Sequence, residues 1–268
     1  MTPTAPAALK ACCATAYASP AARYLLGQSF HPGGARLTSE LGRSLRLAPG
    51  SVVVDVGSGP GTSAVQLARE TGCHVVGIDL AVESIAEARR AAGAAGVAEH
   101  VEFLEGDAEA LPLPDASMDG VLSECALCTF PDKPAAIAEM RRALCPGGTV
   151  ALADVTAQPG RLPSFLRGAV AQIACVAAAQ SAQECVNLLV AAGFEVEASE
   201  RHDAELAKMA DRVEARLRAA RIIAPRALEQ LRPDLDDGIE LAHLARKAIA
   251  AGDLGYAVWV ARLPAAAE

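Results

Sequence analysis

Short apolar runs alternate with longer stretches of helical spacing through most of this chain. Val52, Val53, Val54 and Val56 enclose a single acid, Asp55, and run into Gly57-Ser58-Gly59-Pro60-Gly61. A continuous apolar run bounded by turn residues is the pattern of a strand buried on both faces. Helical spacing follows from about residue 62 to Gly72, then an apolar run over 74–78 that ends in Asp79. The same alternation repeats: a helix over 84–95, a strand over 101–104, a strand over 118–122 and a helix over 137–144. Pro146-Gly147-Gly148 reads as a turn before a strand over 149–155; a helix over 182–192, closed by Gly193, and a strand over 194–199 come next. A last apolar segment, 255–263, closes the chain. Strands separated by helices predict an α/β fold with a doubly wound sheet.

Two segments stand outside this alternation. Residues 9–26 are helical in pattern with a break at Pro20, 27–34 (GQSFHPGG) read as a loop and 37–47 as a helix, whereas residues 1 to about 8 form a Pro/Thr/Ala tail with no expected structure. Between the last two strands, Leu206, Met209, Ala210, Val213, Leu217 and Ala220 recur at helical spacing. That insertion is expected to be helical with one buried face, its alternating charges forming a solvated face. The expected division is therefore 1–48 as tail and helical lid, 49–200 as core, 201–254 as helical insertion and 255–268 as the final strand of the core with its tail.

The glycine loop is where the chemistry begins. Glycines permit positive φ and close approach of a ligand to the backbone, and the next helix aims its free N–H groups and positive end at that ligand. A dinucleotide fingerprint would place its third glycine at position 62, but Thr62 stands there and the glycine comes one residue early. The spacing D-x-G-x-G-x-G over Asp55–Gly61 instead resembles motif I of class I S-adenosylmethionine methyltransferases. Gly106-Asp107-Ala108 and the Leu144-x-Pro146-Gly147-Gly148 turn resemble two further motifs of that superfamily. The resemblance implies a Rossmann-like seven-stranded sheet of order 3-2-1-4-5-7-6 with the last strand antiparallel. It also implies S-adenosylmethionine as cofactor, held by Asp55, Gly57, Ser58, Gly59 and Gly61, with Asp79 and Leu80 at the ribose, Asp107 and Ala108 at the adenine, and Ser123 nearby.

Composition narrows the partners. The 268 residues carry a formal charge of −8, and only 3% are aromatic. That balance argues against nucleic acid, which calls for a basic footprint and stacking rings. The most apolar stretch, 165–179, is interrupted by Arg167 and Gln172, so no membrane span is expected. The N-terminal residues lack the basic-then-apolar pattern of a secretory signal, which points to the cytoplasm. The eight cysteines then read as thiols rather than a disulfide framework.

Cys125 follows the fourth strand, where open α/β sheets bind ligands, and is followed by Pro131-Asp132-Lys133. With the Cys12-Cys13 pair and Cys175 after strand five, this arrangement resembles the arsenite methyltransferases. That resemblance implies Cys125 and Cys175 as catalytic thiols, which hold a soft trivalent species together with Cys12 or Cys13. Thiolates suit such an acceptor, and its lone pair needs no general base. The arsenite enzymes carry a further cysteine soon after the pair, which residues 17–30 lack. Cys73, Cys145 and Cys185 read as small core residues, and no metal site is expected. His31 is either a base toward a hydroxyl or amine or a loop-capping side chain; Tyr17 either closes over the cofactor or packs. Two other functions remain open: a small-molecule O-, N- or C-methyltransferase with incidental cysteines, and a non-catalytic S-adenosylmethionine-binding protein. The pattern leaves the oligomeric state undetermined.

Overall fold

The computed structural model describes residues 6–158, 160–167, 176, 178–223 and 235–265. Its centre is one seven-stranded sheet of order β3-β2-β1-β4-β5-β7-β6. The strands are β1 (Val52–Val56), β2 (His74–Asp79), β3 (Val101–Glu105), β4 (Met118–Glu124), β5 (Leu144–Ala157), β6 (Glu195–Arg201) and β7 (Leu254–Arg262). Pairing is parallel from β3 through β5, and β7 runs antiparallel between β5 and β6. This is the order and polarity expected from the sequence.

The strand period of two divides the core. Val53, Leu122, Ala151, Ala153, Tyr256 and Val258 face one layer, with Leu37 and Leu41 of α3 (Gly34–Ser44) and Ala64 and Leu67 of α4 (Thr62–Thr71). Val54, Val56, Val121, Leu152, Ala257 and Trp259 face the other, against Ile137 and Met140 of α6 (Lys133–Ala143). Helices on both faces bury both sets, which is why the strands read as nearly unbroken apolar runs. The remaining helices are α1 (Pro6–Tyr17), α2 (Pro20–Leu26), α5 (Val82–Ala94), α7 (Ala182–Ala191), α8 (Asp203–Ile223) and α9 (Leu235–Ala251).

Several boundaries differ from expectation for identifiable reasons. Helix α1 begins at Pro6, inside the segment read as tail. The break at Pro20 is complete, because Ser19 caps α2 by accepting the Ala22 N–H with Pro20 in the first turn. Helix α3 starts at Gly34, ahead of its first apolar residue. Helix α6 starts four residues before its apolar pattern, because Asp132 accepts the Ala135 N–H as N-cap and a proline stands in the first turn. The expected turn at Pro146-Gly147-Gly148 is a register shift within β5 opposite Met118/Gly120. In the insertion, Met209, Leu217 and Ala220 are buried as expected, but so is a charge, Glu214. It accepts bonds from Arg218 (2.7 Å) on α8 and Arg246 (3.2 Å) on α9, so part of the charge pattern ties the two helices together rather than facing solvent.

Candidate active site

At the carboxyl ends of the central strands a cavity opens between the sheet, the glycine loop and the N-terminal segment. Its cofactor side is lined by Asp55, Gly57, Ser58, Gly59, Asp79, Leu80, Asp107 and Ala108. The opposite wall is built by Cys13, Tyr17, Phe30, His31, Glu124 and Cys125. Eight of the ten residues expected at the cofactor therefore line one space.

Gly61 and Ser123 do not. Gly61 ends the loop as the left-handed N-cap of α4 (φ 77°), and a Cβ there would fall 2.6 Å from Phe103 and 2.7 Å from Ala88. The absent side chain lets α4 pack closely against the sheet. Ser123 lies on the same strand face as Val121, and its hydroxyl donates to the Val56 carbonyl at 2.8 Å. The next residue, Glu124, takes the cavity face that Asp55 shares. Of the thiols, Cys13 is buried and lines the cavity, and Cys125 lines it from the strand tip. Cys12 is exposed and is not among the lining residues. Cys175 lies outside the described residues. Cys73 and Cys185 are core residues as expected, but Cys145 is only half-buried, its Sγ 3.0 Å from the Ala116 carbonyl. Among the described residues no group of three or more His, Cys, Asp or Glu is arranged to hold a metal ion, and no helix is long and apolar enough to cross a membrane.

The electrostatics are dominated by buried carboxylates. Asp55 is 2% exposed, and its Oδ2 has no hydrogen-bond partner within the protein. Burial, then the nearby charges of Glu124 and Asp79, push its pKa well above the usual carboxylate range against one Ala64 N–H. Asp79 is also raised by burial, in spite of accepting the N–H groups of Gly59 and Ala81, each at 2.8 Å. Burial opposes ionisation of Asp107 as well, but bonds from Lys10 and the Glu109 N–H outweigh it and hold that pKa low.

Asp55 makes stability depend on pH with a definite sign. Its folded pKa exceeds the unfolded value near 4. The folded state thus holds the proton more tightly, and stability falls as pH rises from about 4 through the folded pKa. Without ligand, Asp55→Asn is expected to be more stable than the parent at neutral pH, by a margin that widens between pH 5 and 8. Urea unfolding at both values measures it; a constant margin would contradict the assignment.

Sequence reasoning gave little weight to the far wall. His31 and Glu124 are both buried, with His31 Nδ1 3.4 Å from Glu124 Oε1 and 3.2 Å from the Pro32 carbonyl. Thr38 donates to the same carboxylate at 3.0 Å. The Pro32 carbonyl can only accept, so its contact with Nδ1 is a hydrogen bond in the tautomer that carries the proton there, while Nε2 lies 3.4 Å from the Thr38 hydroxyl. The HPGG signal was visible in sequence, but its partner stands 86 residues beyond Thr38. Cys125 itself has φ 56°, a left-handed conformation rare for a residue with a side chain.

Residues 54–152, which contain the glycine loop and β4, match the family model described as a methyltransferase domain. The match thus places a methyltransferase domain over the centre of the chain. An arsenite methyltransferase of Halobacterium salinarum is 37% identical to this chain over 56% of the chain and 38% of its own length. An O-methyltransferase of Penicillium expansum is 36% identical over 61% of the chain and 59% of its own length. The chain thus spans less than two thirds of either relative. Among solved structures, the [4+2]-cyclase SpnF superposes with a TM-score of 0.73 at 25% identity, covering 86% of this chain and 81% of that one. A cyclase on this fold means that the sheet alone does not specify the reaction.

Proposed function

We propose that this protein transfers a methyl group from S-adenosylmethionine to a soft, thiol-bound acceptor such as arsenite. The observation that carries this reading is that Cys13 and Cys125, from distant segments of the chain, both line the cavity that the glycine loop also lines. The 37% identity to an arsenite methyltransferase supports it.

The cofactor half fits the proposed ligand. Asp55 Oδ2, just ahead of the loop, and Ser58 Oγ, within it, are buried polar atoms without protein partners, and Gly57 and Gly59 on either side of Ser58 carry no side chain. Bound there, S-adenosylmethionine supplies an electrophilic methyl on a positively charged sulfur. Burial holds Asp55 and Asp79 toward their protonated forms, and a cation bound beside them would draw both toward the ionised form. Asp79 keeps the loop in place through the Gly59 N–H and retains lone pairs for ribose hydroxyls. Cys13 and Cys125 are the soft donors on the far wall, and Cys175 is the proposed third. The acceptor's own lone pair attacks in line, so the protein's task is orientation and exclusion of water.

A second reading is favoured by Glu124. A hydroxyl or amine acceptor must lose a proton, and this carboxylate faces the cavity with His31 and Thr38 holding it in place. The two readings separate on one set of variants. Under the first, Cys13→Ser and Cys125→Ser lose arsenite-dependent turnover by at least about a hundredfold while cofactor affinity is kept, because serine is a hard, weak donor. Turnover of arsenite and of a panel of organic acceptors, with thiol reductant present, measures this. Arsenite methylation at the parent rate in either variant removes that cysteine from the mechanism, and no arsenite turnover in the parent gives the organic reading precedence.

A further inference from the structure

Helix α1 presents Lys10, Cys13, Ala14 and Tyr17 to the cavity, a spacing of three, four and seven residues that forms one helical face. Cys12, next in the chain, is exposed. A rotation of α1 about its axis, or its lifting away, would therefore take Cys13 out of the cavity. At the other end of this face the Lys10 Nζ lies 2.6 Å from Asp107 Oδ2 and 2.5 Å from Glu109 Oε2.

Neither acid is a loose surface group. Asp107 Oδ1 accepts the Glu109 N–H at 3.0 Å, which folds the turn after β3 on itself. Glu109 Oε1 accepts the N–H of Asp132, the N-cap of α6, at 2.8 Å. The ammonium thus grips two carboxylates fixed in the body of the fold, and only 16% of its side chain is exposed. Its three donors match a paired-carboxylate site, and partial burial strengthens the attraction relative to an open surface pair.

We infer that Lys10 is a positioning residue: its double ion pair with Asp107 and Glu109 sets the rotation and closure of α1, and so holds Cys13 against the cavity one helical turn away. The use of this placement in methyl transfer rests on the function proposed above. The placement itself does not, and it is testable with neither cofactor nor acceptor present.

The experiment is alkylation of the full-length chain by iodoacetamide in a Cys12→Ser background, followed at Cys13 by peptide mass spectrometry. With Lys10 intact, Cys13 is expected to react slowly at low salt and several-fold faster at 1 M sodium chloride, where exposed and half-exposed ion pairs weaken. Lys10→Met is expected to raise the low-salt rate about tenfold and to abolish the salt dependence, because α1 then opens locally. Lys10→Arg, which keeps charge and reach, restores the slow rate. Cys73 and Cys185, buried in the core, stay unlabelled in all three proteins. An unchanged Cys13 rate in Lys10→Met overturns the inference. So does a parallel rise at Cys73 and Cys185, which would make Lys10 a residue of general stability.

Discussion

Gly61→Ala is expected to lower the stability of the fold by about 3 kcal/mol, the sum of two costs. The first is conformational: Gly61 has φ 77°, and a Cβ in the left-handed region costs about 1–2 kcal/mol. The second is steric, since the new methyl would fall 2.6 Å from Phe103 and 2.7 Å from Ala88, both in the core. Overpacking of that kind costs about 1–3 kcal/mol. Gly59→Ala is the internal control, because Gly59 also has positive φ (52°) but nothing within 4 Å of its would-be Cβ. Urea unfolding of the two variants separates the terms. Equal losses would refute the packing role of Gly61 and return it to the cofactor.

Asp79→Ala is expected to weaken S-adenosylmethionine binding by about 3 kcal/mol, roughly a hundredfold in Kd. Removing the carboxylate has two consequences. It deletes the acceptor proposed for the ribose hydroxyls, and it releases the N–H groups of Gly59 and Ala81, each held at 2.8 Å. A loop that must then be ordered on binding lowers affinity further. Titration calorimetry on the purified variant measures the change. Affinity equal to the parent's would exclude Asp79 from the cofactor site.

These two residues show what the sequence could and could not reveal. The loop and the acid at the tip of β2 were legible because each rests on local pattern: a valine run, glycines at fixed spacing, a period that changes from two to 3.6; the strand order came only with the resemblance to the methyltransferase superfamily. The packing demand at Gly61 was not legible, because the motif records that a glycine is needed and not whether a ligand or a ring such as Phe103 demands it. Ser123 was placed at the cofactor for a related reason. Strand ends are uncertain by a residue, and a shift of one exchanges Ser123 for Glu124 across the sheet. The pairings that build the far wall were beyond reach. Lys10 and Asp107 are separated by 97 positions and Thr38 and Glu124 by 86, and no periodicity links such residues. The start of α6 was missed because a cap, Asp132, and not an apolar repeat, sets it.

The cavity has a seam. The glycine loop, Asp79 and the Gly106-Asp107-Ala108 turn fall within the 54–152 segment that matches the methyltransferase domain, as do Glu124 and Cys125 of the far wall, whereas Cys13, Tyr17, Phe30 and His31 come from the N-terminal stretch outside it. Histories of the two halves need not run together. A lineage that exchanged the residues ahead of β1 would replace Cys13, Tyr17, Phe30 and His31 and keep Glu124 and Cys125, remodelling half of the far wall and leaving the glycine loop untouched.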